Sequence, residues 1–444
     1  MSTPPFWTLQ RIAQALGEGP ADARPITGIT TDTRKVAPGE CFVALIGETF
    51  DGHDFLEAAV QAGAAAVVVS DVTRAATLGV PVFEVPDTLV ALGMLGRYRR
   101  QAWQRPVVAV GGSNGKTSTK ELLKAVLGSR YTVHATSGNL NNRIGVPLTL
   151  LALDAAADVA VIEAGTNIPG EIALLRDIIL PDVAVVTTVQ EEHLEGLGDL
   201  AGVMAEELSL TDEAPLAVVP ASEPDVVAEA ERRAERVTAA ALPATHGLHP
   251  DGRGWIELDG VRLESPLRGM HNLRNAALAI AVGKVFGLDA EAMRDGLAAM
   301  PMPPMRSSVA PLGEALLLND AYNANPGSAR AALALLADIG AGRQRVAILG
   351  TMRELGVHAP QKHREVAEAA LAAGHDVICG IGDFAAALEA VAPGDARVIT
   401  ASDVDDLWPK LQPRLQRTAA ILLKASRGVK LERIVPTLTT WANA

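Results

Sequence analysis

The stretch PVVAVGGSNGKTSTKELLKAVL, residues 106–127, carries three local signals in succession. Val107–Val110 is a short apolar run bounded by Pro106 and a glycine pair, which predicts a strand buried on both faces, as in a parallel sheet. Gly111, Gly112 and Gly115 follow; glycine takes φ > 0 freely and lets the backbone approach a ligand closely. Lys116 and Thr117 then open a helical run. A strand, a glycine-rich turn, Lys-Thr and a helix wrap backbone N–H groups around phosphates, with the lysine reaching the β/γ-phosphates and the threonine hydroxyl on Mg²⁺. The helix dipole adds a fractional positive charge there. The long form of this loop, G-x-x-x-x-G-K-[ST], needs a glycine at position 110, where Val110 stands. The sequence fits the shorter form G-x-x-G-K-[ST], from Gly112 to Thr117. A plain βα turn with a surface lysine is the alternative. Against it stand the flanking strand and helix and the scarcity of lysine, which makes up nine of the 39 basic residues.

The whole chain sets the bounds on that loop. Its 444 residues suit roughly three domains at ~150 residues each. With 48% apolar and 20% charged residues it has the mix of a globular protein with a large core. A net charge of −13 with no basic stripe argues against nucleic acid as partner, since neutralising phosphates needs clustered Lys and Arg. A small anionic ligand at a helix N-terminus remains compatible with that charge. No run of about 20 apolar residues occurs, so no membrane span is expected. The opening MSTPPFWTLQRIAQALG lacks the basic start and apolar core of a signal peptide. Cys41 and Cys379 sit in the strand-like runs CFVAL and DVICGIG. They read as buried free thiols and suit a reducing cytoplasm, the expected location.

Composition changes divide the chain into residues 1–104, 105–310 and 311–444. The first part has short apolar runs (CFVAL, AAAVVVS, PVFEV) and ends in the helical stretch DTLVALGMLGRYRRQAW. The second holds PVVAV, DVAVIEAG and DVAVVTTV, each a buried parallel strand by composition, and the helical stretch GMHNLRNAALAIAVGKVFGL. The proline-rich MPMPPMRSS, residues 300–308, begins a linker. The last part alternates ALLLND, RVAILG, DVICGIG, ARVIT and AAILLKAS with Ala/Leu helices, a doubly wound α/β pattern. The expected fold is thus α/β in three domains: a small N-terminal α/β domain, a central P-loop ATPase-type parallel sheet and a C-terminal Rossmann-like domain.

VVAVGGSNGKTSTKELL resembles the ATP-binding loop of the Mur ligase family, the ATP-dependent amide-bond-forming enzymes of peptidoglycan synthesis. The resemblance extends over nearly the whole chain. Residues 30–69, TTDTRKVAPGECFVALIGETFDGHDFLEAAVQAGAAAVVV, are similar to the family's UDP-sugar-binding domain, which implies that Thr31, Thr33 and Arg34, around Asp32, meet the uridine diphosphate end. Hydroxyls and one arginine suit a pyrophosphate, although an ordinary Asp/Thr turn would read the same. SGNLNNRIGVPLTLL, with Asn139, and VIEAGTNIPGEIALL are similar to stretches of the member that adds a dipeptide. Glu163 closes a strand, where a carboxylate is costly unless it meets a cation. By the resemblance Glu163 and His193, in EEHLEGLG, are Mg²⁺ ligands together with Thr117, and Lys116, Glu163 and His193 are catalytic. Gly112, Ser113, Asn114, Gly115, Lys116, Thr117 and Ser118 would bind the phosphates of ATP. GMHNLRNAALAIAVG matches the segment that contacts adenine, with His271, Asn272 and Asn275 on about one helical face. Arg306 and Asp320 are expected beside ATP. The most specific match is Asp320-x-Tyr322-Asn323-x-Asn325-Pro326, the D-x-Y-N-A-N-P pattern of that one member. LKASRGVKLERIV resembles its K-x-S-R segment, so Asn139, Tyr322, Asn323, Asn325, Lys424, Ser426 and Arg427 are expected to bind substrate, with Lys424 at the incoming dipeptide or the phosphates.

One departure concerns a metal. The family carries a lysine shortly after H-L-E-G, and its carbamate helps to hold a second Mg²⁺. Here that stretch is GVMAEELSL, and no lysine occurs between Lys124 and Lys284. Glu206 or Glu207 occupies the position. A glutamate replacing the carbamate and a solvated helix face with the second metal weakened are both open readings. A smaller departure is Thr351 in LGTMRELG, where the family pattern has Asp.

The resemblance implies a cytoplasmic monomer using ATP and Mg²⁺ to join D-alanyl-D-alanine to the carboxylate of a UDP-N-acetylmuramoyl tripeptide through an acyl phosphate. Three domains gathering three substrates also predict closure of the last domain over the others, which would exclude water from the acyl phosphate. Another Mur-type or folylpolyglutamate-type amide ligase, a P-loop nucleotide-dependent switch, and a binding protein with impaired catalysis are the competing readings.

Overall fold

The computed structural model describes residues 5–19, 21–302 and 305–444. Pro303 and Pro304, in the middle of the expected linker, lie outside the described residues. The chain gathers into two compact units. One holds the residues up to Ala109 with Val133–Gly165 and Ala173–Asp182; the other holds Val110–Thr132, Thr166–Ile172 and Val183–Ala444.

In the first unit, β1 (Ile29–Thr30), β2 (Cys41–Val43), β3 (Ala66–Val69) and β4 (Val82–Glu84) form a parallel sheet in sequential order. Cys41, Val43, Val67, Val68 and Val69 are all fully buried, which explains why these strands read as unbroken apolar runs. Parallel order brings the ends of β1, β2 and β3 to one edge, so the turns after Thr30, Val43 and Val69 are neighbours. Helix α1 (Thr88–Trp103) starts at Asp87, whose carboxylate accepts the amides of Leu89 and Val90. Strand β5 (Val107–Gly111) follows and runs into the second unit, where helix α2 (Lys116–Gly128) begins. Back in the first unit, β6 (Val133–Ala135) pairs in parallel with β7 (Val159–Glu163).

The second unit continues with α3 (Glu171–Ile179), which starts in this unit and ends in the first, then β8 (Val183–Val186), α4 (Leu194–Leu197) and α5 (Leu200–Leu208). Strands β9 (Ala217–Pro220) and β10 (Val237–Ala240) extend β8 in parallel. A feature not anticipated above comes next: an antiparallel meander of β11 (His246–Leu248), β12 (Arg253–Leu258) and β13 (Val261–Arg268). Its signal was present in the Asp-Gly pairs 251–252 and 259–260. Asp259 and Gly260 take φ of 51° and 78°, the left-handed pair that a two-residue hairpin turn requires. Helix α6 (Met270–Val285) follows.

The last sheet has the strand order β14 (Ser308–Leu312), β15 (Ala315–Asn319), β19 (Ala420–Lys424), β16 (Arg345–Gly350), β17 (Val377–Ile381) and β18 (Val398–Ala401). It is parallel except for β14, which folds back on β15 as an antiparallel edge. Helix α7 (Pro326–Ile339) leaves β15 through a capping box: Asn325 Oδ1 accepts the Ser328 amide, and the Ser328 hydroxyl accepts the Asn325 amide. One apolar cluster runs from Val186, Leu194 and Val203 through Ala324, Leu333 and Leu336 to Ile378, so the last sheet packs directly against β8, α4 and α5.

Candidate active site

The turn between β5 and α2 is held by the segment that follows β8. Gly112 and Gly115 take φ of 111° and 87°. A Cβ at Gly112 would stand 2.4 Å from Thr187 Oγ1, and one at Gly115 would stand 2.6 Å from Asn275 Nδ2. Both glycines are therefore required twice, by dihedral and by space. The Ser113 amide donates to Thr188 O at 2.7 Å. The Ser113 hydroxyl donates to Gln190 O at 3.0 Å and accepts the Gln190 amide at 2.9 Å. The Thr187 hydroxyl donates to Asn114 O at 2.6 Å. Glu223 secures this segment in turn, accepting from the Thr188 hydroxyl and from the Val189 amide. Gln190 Oε1 also accepts from Asn114 Nδ2 (3.0 Å), and Asn114 Oδ1 accepts from Asn325 Nδ2 at 2.9 Å. The loop is thereby tied to the start of α7.

Lys116, in the first turn of α2, donates from Nζ to Gly112 O at 2.6 Å. Two carboxylates face it: Glu192 Oε1 lies 3.6 Å and Glu207 Oε1 4.0 Å from Nζ. Glu192 is 4% and Glu207 0% exposed. Glu207 Oε2 accepts the Gly112 amide at 2.6 Å, while Glu192 Oε1 and Glu207 Oε1 are buried without a hydrogen-bond partner. Burial pushes the Glu192 carboxyl up to about 7; the Lys116 ammonium opposes that, and the neighbouring Glu207 carboxylate reinforces it. His193 adopts φ 49° before α4. Its Nδ1 lies 2.5 Å from Glu354 Oε2 and its Nε2 3.6 Å from Glu192 Oε2. Burial works against its charged form, but the Glu354 and Glu192 carboxylates outweigh it and raise its pKa.

The two adjacent glutamates of α5 go separate ways. Glu206 accepts the amides of Gly170 (2.7 Å) and Ile172 (2.8 Å), capping the start of α3, whereas Glu207 reaches the phosphate loop. Both are buried. The reading of this stretch as a solvated helix face is overturned: the acidic side chains satisfy backbone amides inside the protein.

The other expected residues are distributed as follows. Thr117 and Ser118 lie in the first turn of α2, and Ser118 is buried. Asn275 abuts Gly115 and donates to Asn272 Oδ1 at 3.2 Å; Asn272 donates to Arg268 O at 2.8 Å. His271 is held down to about 4, by desolvation first, with Asp320 opposing and Lys424 and Arg274 reinforcing. Asp320 accepts the Ser307 amide at 2.7 Å and pairs with buried Lys424. The Arg306 guanidinium stacks 4.2 Å over the Tyr322 ring. Asn323 is exposed. Ser426 Oγ accepts the Arg353 amide at 2.9 Å, and Arg427 pairs with Glu432 at 2.9 Å. Thr351 Oγ1 accepts the Asp383 amide.

In the first unit, Glu163 closes β7 buried, its Oε1 accepting from Asn141 Nδ2 at 2.9 Å; Asn139, two residues earlier, is exposed. Thr31 is half-buried, and Thr33 opens a short 3-10 turn, Thr33–Lys35. Arg34 projects with 86% of its side chain exposed and is gripped by Asp32 through Nε (2.8 Å) and Nη2 (2.9 Å). The Arg34 hydrogen bond holds the Asp32 carboxyl down at about 2. Sequence reasoning missed Gln190, Glu192 and Glu223. The available signal was their position directly after the buried run of β8 or β9, where a parallel sheet presents its ligand edge. Among the described residues no three His, Cys, Asp or Glu side chains form a ready metal cage.

Three family models match the chain: the Mur ligase family catalytic domain over residues 25–100, the Mur ligase middle domain over 110–283, and the Mur ligase glutamate ligase domain over 305–427. The UDP-N-acetylmuramoyl-tripeptide--D-alanyl-D-alanine ligase of Escherichia coli is 37% identical over 439 residues, covering 93% of this chain and 94% of that protein. The protein of the same name from Bacillus subtilis is 34% identical over 426 residues, with 93% of each chain covered. Among solved structures, MurF from Acinetobacter baumannii has a TM-score of 0.88 at 28% identity, covering 99% of this chain and all of that one. MurF from Thermotoga maritima, in complex with ADP, has a TM-score of 0.83 at 26% identity over 94% and 98% of the two chains. A loop of the short phosphate-binding form, the three matched regions and relatives of this identity along nearly the full length place the chain in the Mur ligase family.

Proposed function

We propose that this protein is an ATP-dependent ligase that adds D-alanyl-D-alanine to UDP-N-acetylmuramoyl-tripeptide. The observation that carries this reading is the 37% identity to the E. coli enzyme of that activity across 93% of the chain. The local geometry supports it. The backbone at Gly112 and Gly115 is a cradle that a Cβ would fill, which suits phosphate oxygens, and the buried carboxylate oxygens of Glu192 and Glu207 suit a cation. Thr117 and His193, with Glu207, would hold Mg²⁺, which neutralises phosphate charge when bound.

In the proposed reaction a tripeptide carboxylate oxygen bonds to the γ-phosphorus of ATP as the bond to ADP breaks, giving an acyl phosphate. The dipeptide amine then attacks the acyl carbon, and phosphate leaves as the amide forms. The chain's own residues position and neutralise. Lys116 faces the phosphates from the first turn of α2. Arg34, held by Asp32, meets the uridine diphosphate. Asn275, against Gly115, holds the floor of the loop. Domains at 1–104, 105–310 and 311–444 would gather the UDP-peptide, ATP and the dipeptide. The proposed setting is the cytoplasm, and the proposed working form is a monomer; among the described residues no helix is long and apolar enough to cross a membrane.

The test is phosphate release with each amino-acid or dipeptide acceptor, with and without the UDP-muramoyl tripeptide. Release that needs both the tripeptide and D-alanyl-D-alanine supports the reading. Release independent of any acceptor would replace it with a nucleotide-dependent switch.

A further inference from the structure

Lys116 sits among oxygen atoms. Its ammonium lies 2.6 Å from Gly112 O, 3.4 Å from Ser113 O, 3.6 Å from Glu192 Oε1 and 4.0 Å from Glu207 Oε1. The two carboxylate oxygens are buried and lack any hydrogen-bond partner, in side chains only 4% and 0% exposed. Two buried carboxyls share this ammonium, with His193 Nε2 3.6 Å from Glu192 Oε2 on the far oxygen, and holding both carboxyls ionised together is costly away from water. Carbonyl and carboxylate oxygens converging on one point are the donor set of a hard cation. Mg²⁺ is held through one or two carboxylates plus substrate phosphates, so a pair suffices where no three-residue cage exists.

We propose that Glu192 and Glu207 form a divalent-cation site that the Lys116 ammonium plugs while the loop is free of nucleotide. This rests on the ATP-dependent reading above and adds to it a residue, Glu192, and an order of events. When phosphates enter, Lys116 turns to them and leaves the diacid to the metal. Glu207 keeps the Gly112 amide through Oε2 and offers Oε1, and Glu192 offers Oε1. Metal binding at this pair is then conditional on nucleotide, and the lysine is the gate. No lysine is available between Lys124 and Lys284 to supply a further anionic ligand beside the diacid.

The experiment titrates the full chain with Mn²⁺ alone, read by loss of the free-ion electron paramagnetic resonance signal. K116Q and K116A remove the plug. Either is expected to bind Mn²⁺ at least about 10-fold more tightly than the unchanged protein without nucleotide, the low end of what metal-site changes produce. Adding E192Q to either should abolish the gain. Thermal melts identify which plug-free variant is folded, and either one suffices. Affinity in both variants no tighter than in the unchanged protein, or a gain that survives E192Q, overturns the proposal. A parallel titration of the unchanged protein with a fluorescent ATP analogue keeps the two readings apart. Failure to bind nucleotide would sink the ligase reading, whereas the Mn²⁺ result judges the diacid alone.

Discussion

Residues 111–118 and residues 31–34 are both short turns expected to meet phosphates, and they are built in opposite ways. The first is fixed from outside: Thr187, Thr188, Gln190, Glu207 and Asn275 press on it or bond to it, and its glycines leave no room for a methyl group. The second is fixed from within, by one carboxylate gripping the guanidinium two residues on, at the surface. A cradle imposed by its surroundings is preorganised but intolerant of change. A surface arginine tethered to one carboxylate is replaceable without harm to the fold.

The largest effect should come from the loop. Lys116→Ala should lower the turnover of ATP-dependent ligation by about 10²–10³, the loss typical of one charge-stabilising donor, measured as acceptor-dependent phosphate release. Arg34→Ala should raise KM for the UDP-peptide by about 10–100-fold, the worth of one charged hydrogen bond, with thermal stability unchanged. A turnover effect instead would mean the turn does not meet that substrate. Gly112→Ala should destabilise by about 1–3 kcal/mol through backbone strain and weaken nucleotide binding as well. Glu206→Ala should cost about 0.5–2 kcal/mol, as a lost helix cap does, with no change in the nucleotide's dissociation constant; its neighbour Glu207 should affect both.

The two turns should also separate by pH. A carboxyl raised to about 7 in the folded state binds a proton there that the unfolded chain has released, so its contribution is present below about 4.5 and is lost as pH rises through about 7. Metal-free, nucleotide-free protein should therefore melt at lower temperature at pH 7.5 than at pH 5.5, and Glu192→Gln should flatten that difference. Asp32, held at about 2, is charged throughout this window and contributes no slope.

Much of the first turn was legible in the sequence, because glycine, lysine and a helix start are local signals. The buried parallel strands were legible for the same reason: a strand covered on both faces must be apolar at every position, as Val107–Val110 are. The roles of Glu206 and Glu207 were not. Adjacent residues on a helix point about 100° apart, and which one meets the loop depends on how α5 is rotated against β5. Glu192 and Gln190 were hidden for a related reason, since their partners lie more than seventy residues away along the chain. The meander at 246–268 has a local signal too, in its Asp-Gly turns.

The amide chain from Asn325 through Asn114 to Gln190 bears on inhibition. A Cβ at Gly327 would stand 1.9 Å from Gln190 Oε1, so the start of α7 closes on the 111–118 loop and its support with no clearance. A compound lodged at that seam would need to imitate neither ATP, nor the nucleotide sugar, nor the dipeptide. By wedging that start outward by the width of one methyl group it would part Asn325 from Asn114, the contact that ties the loop to α7.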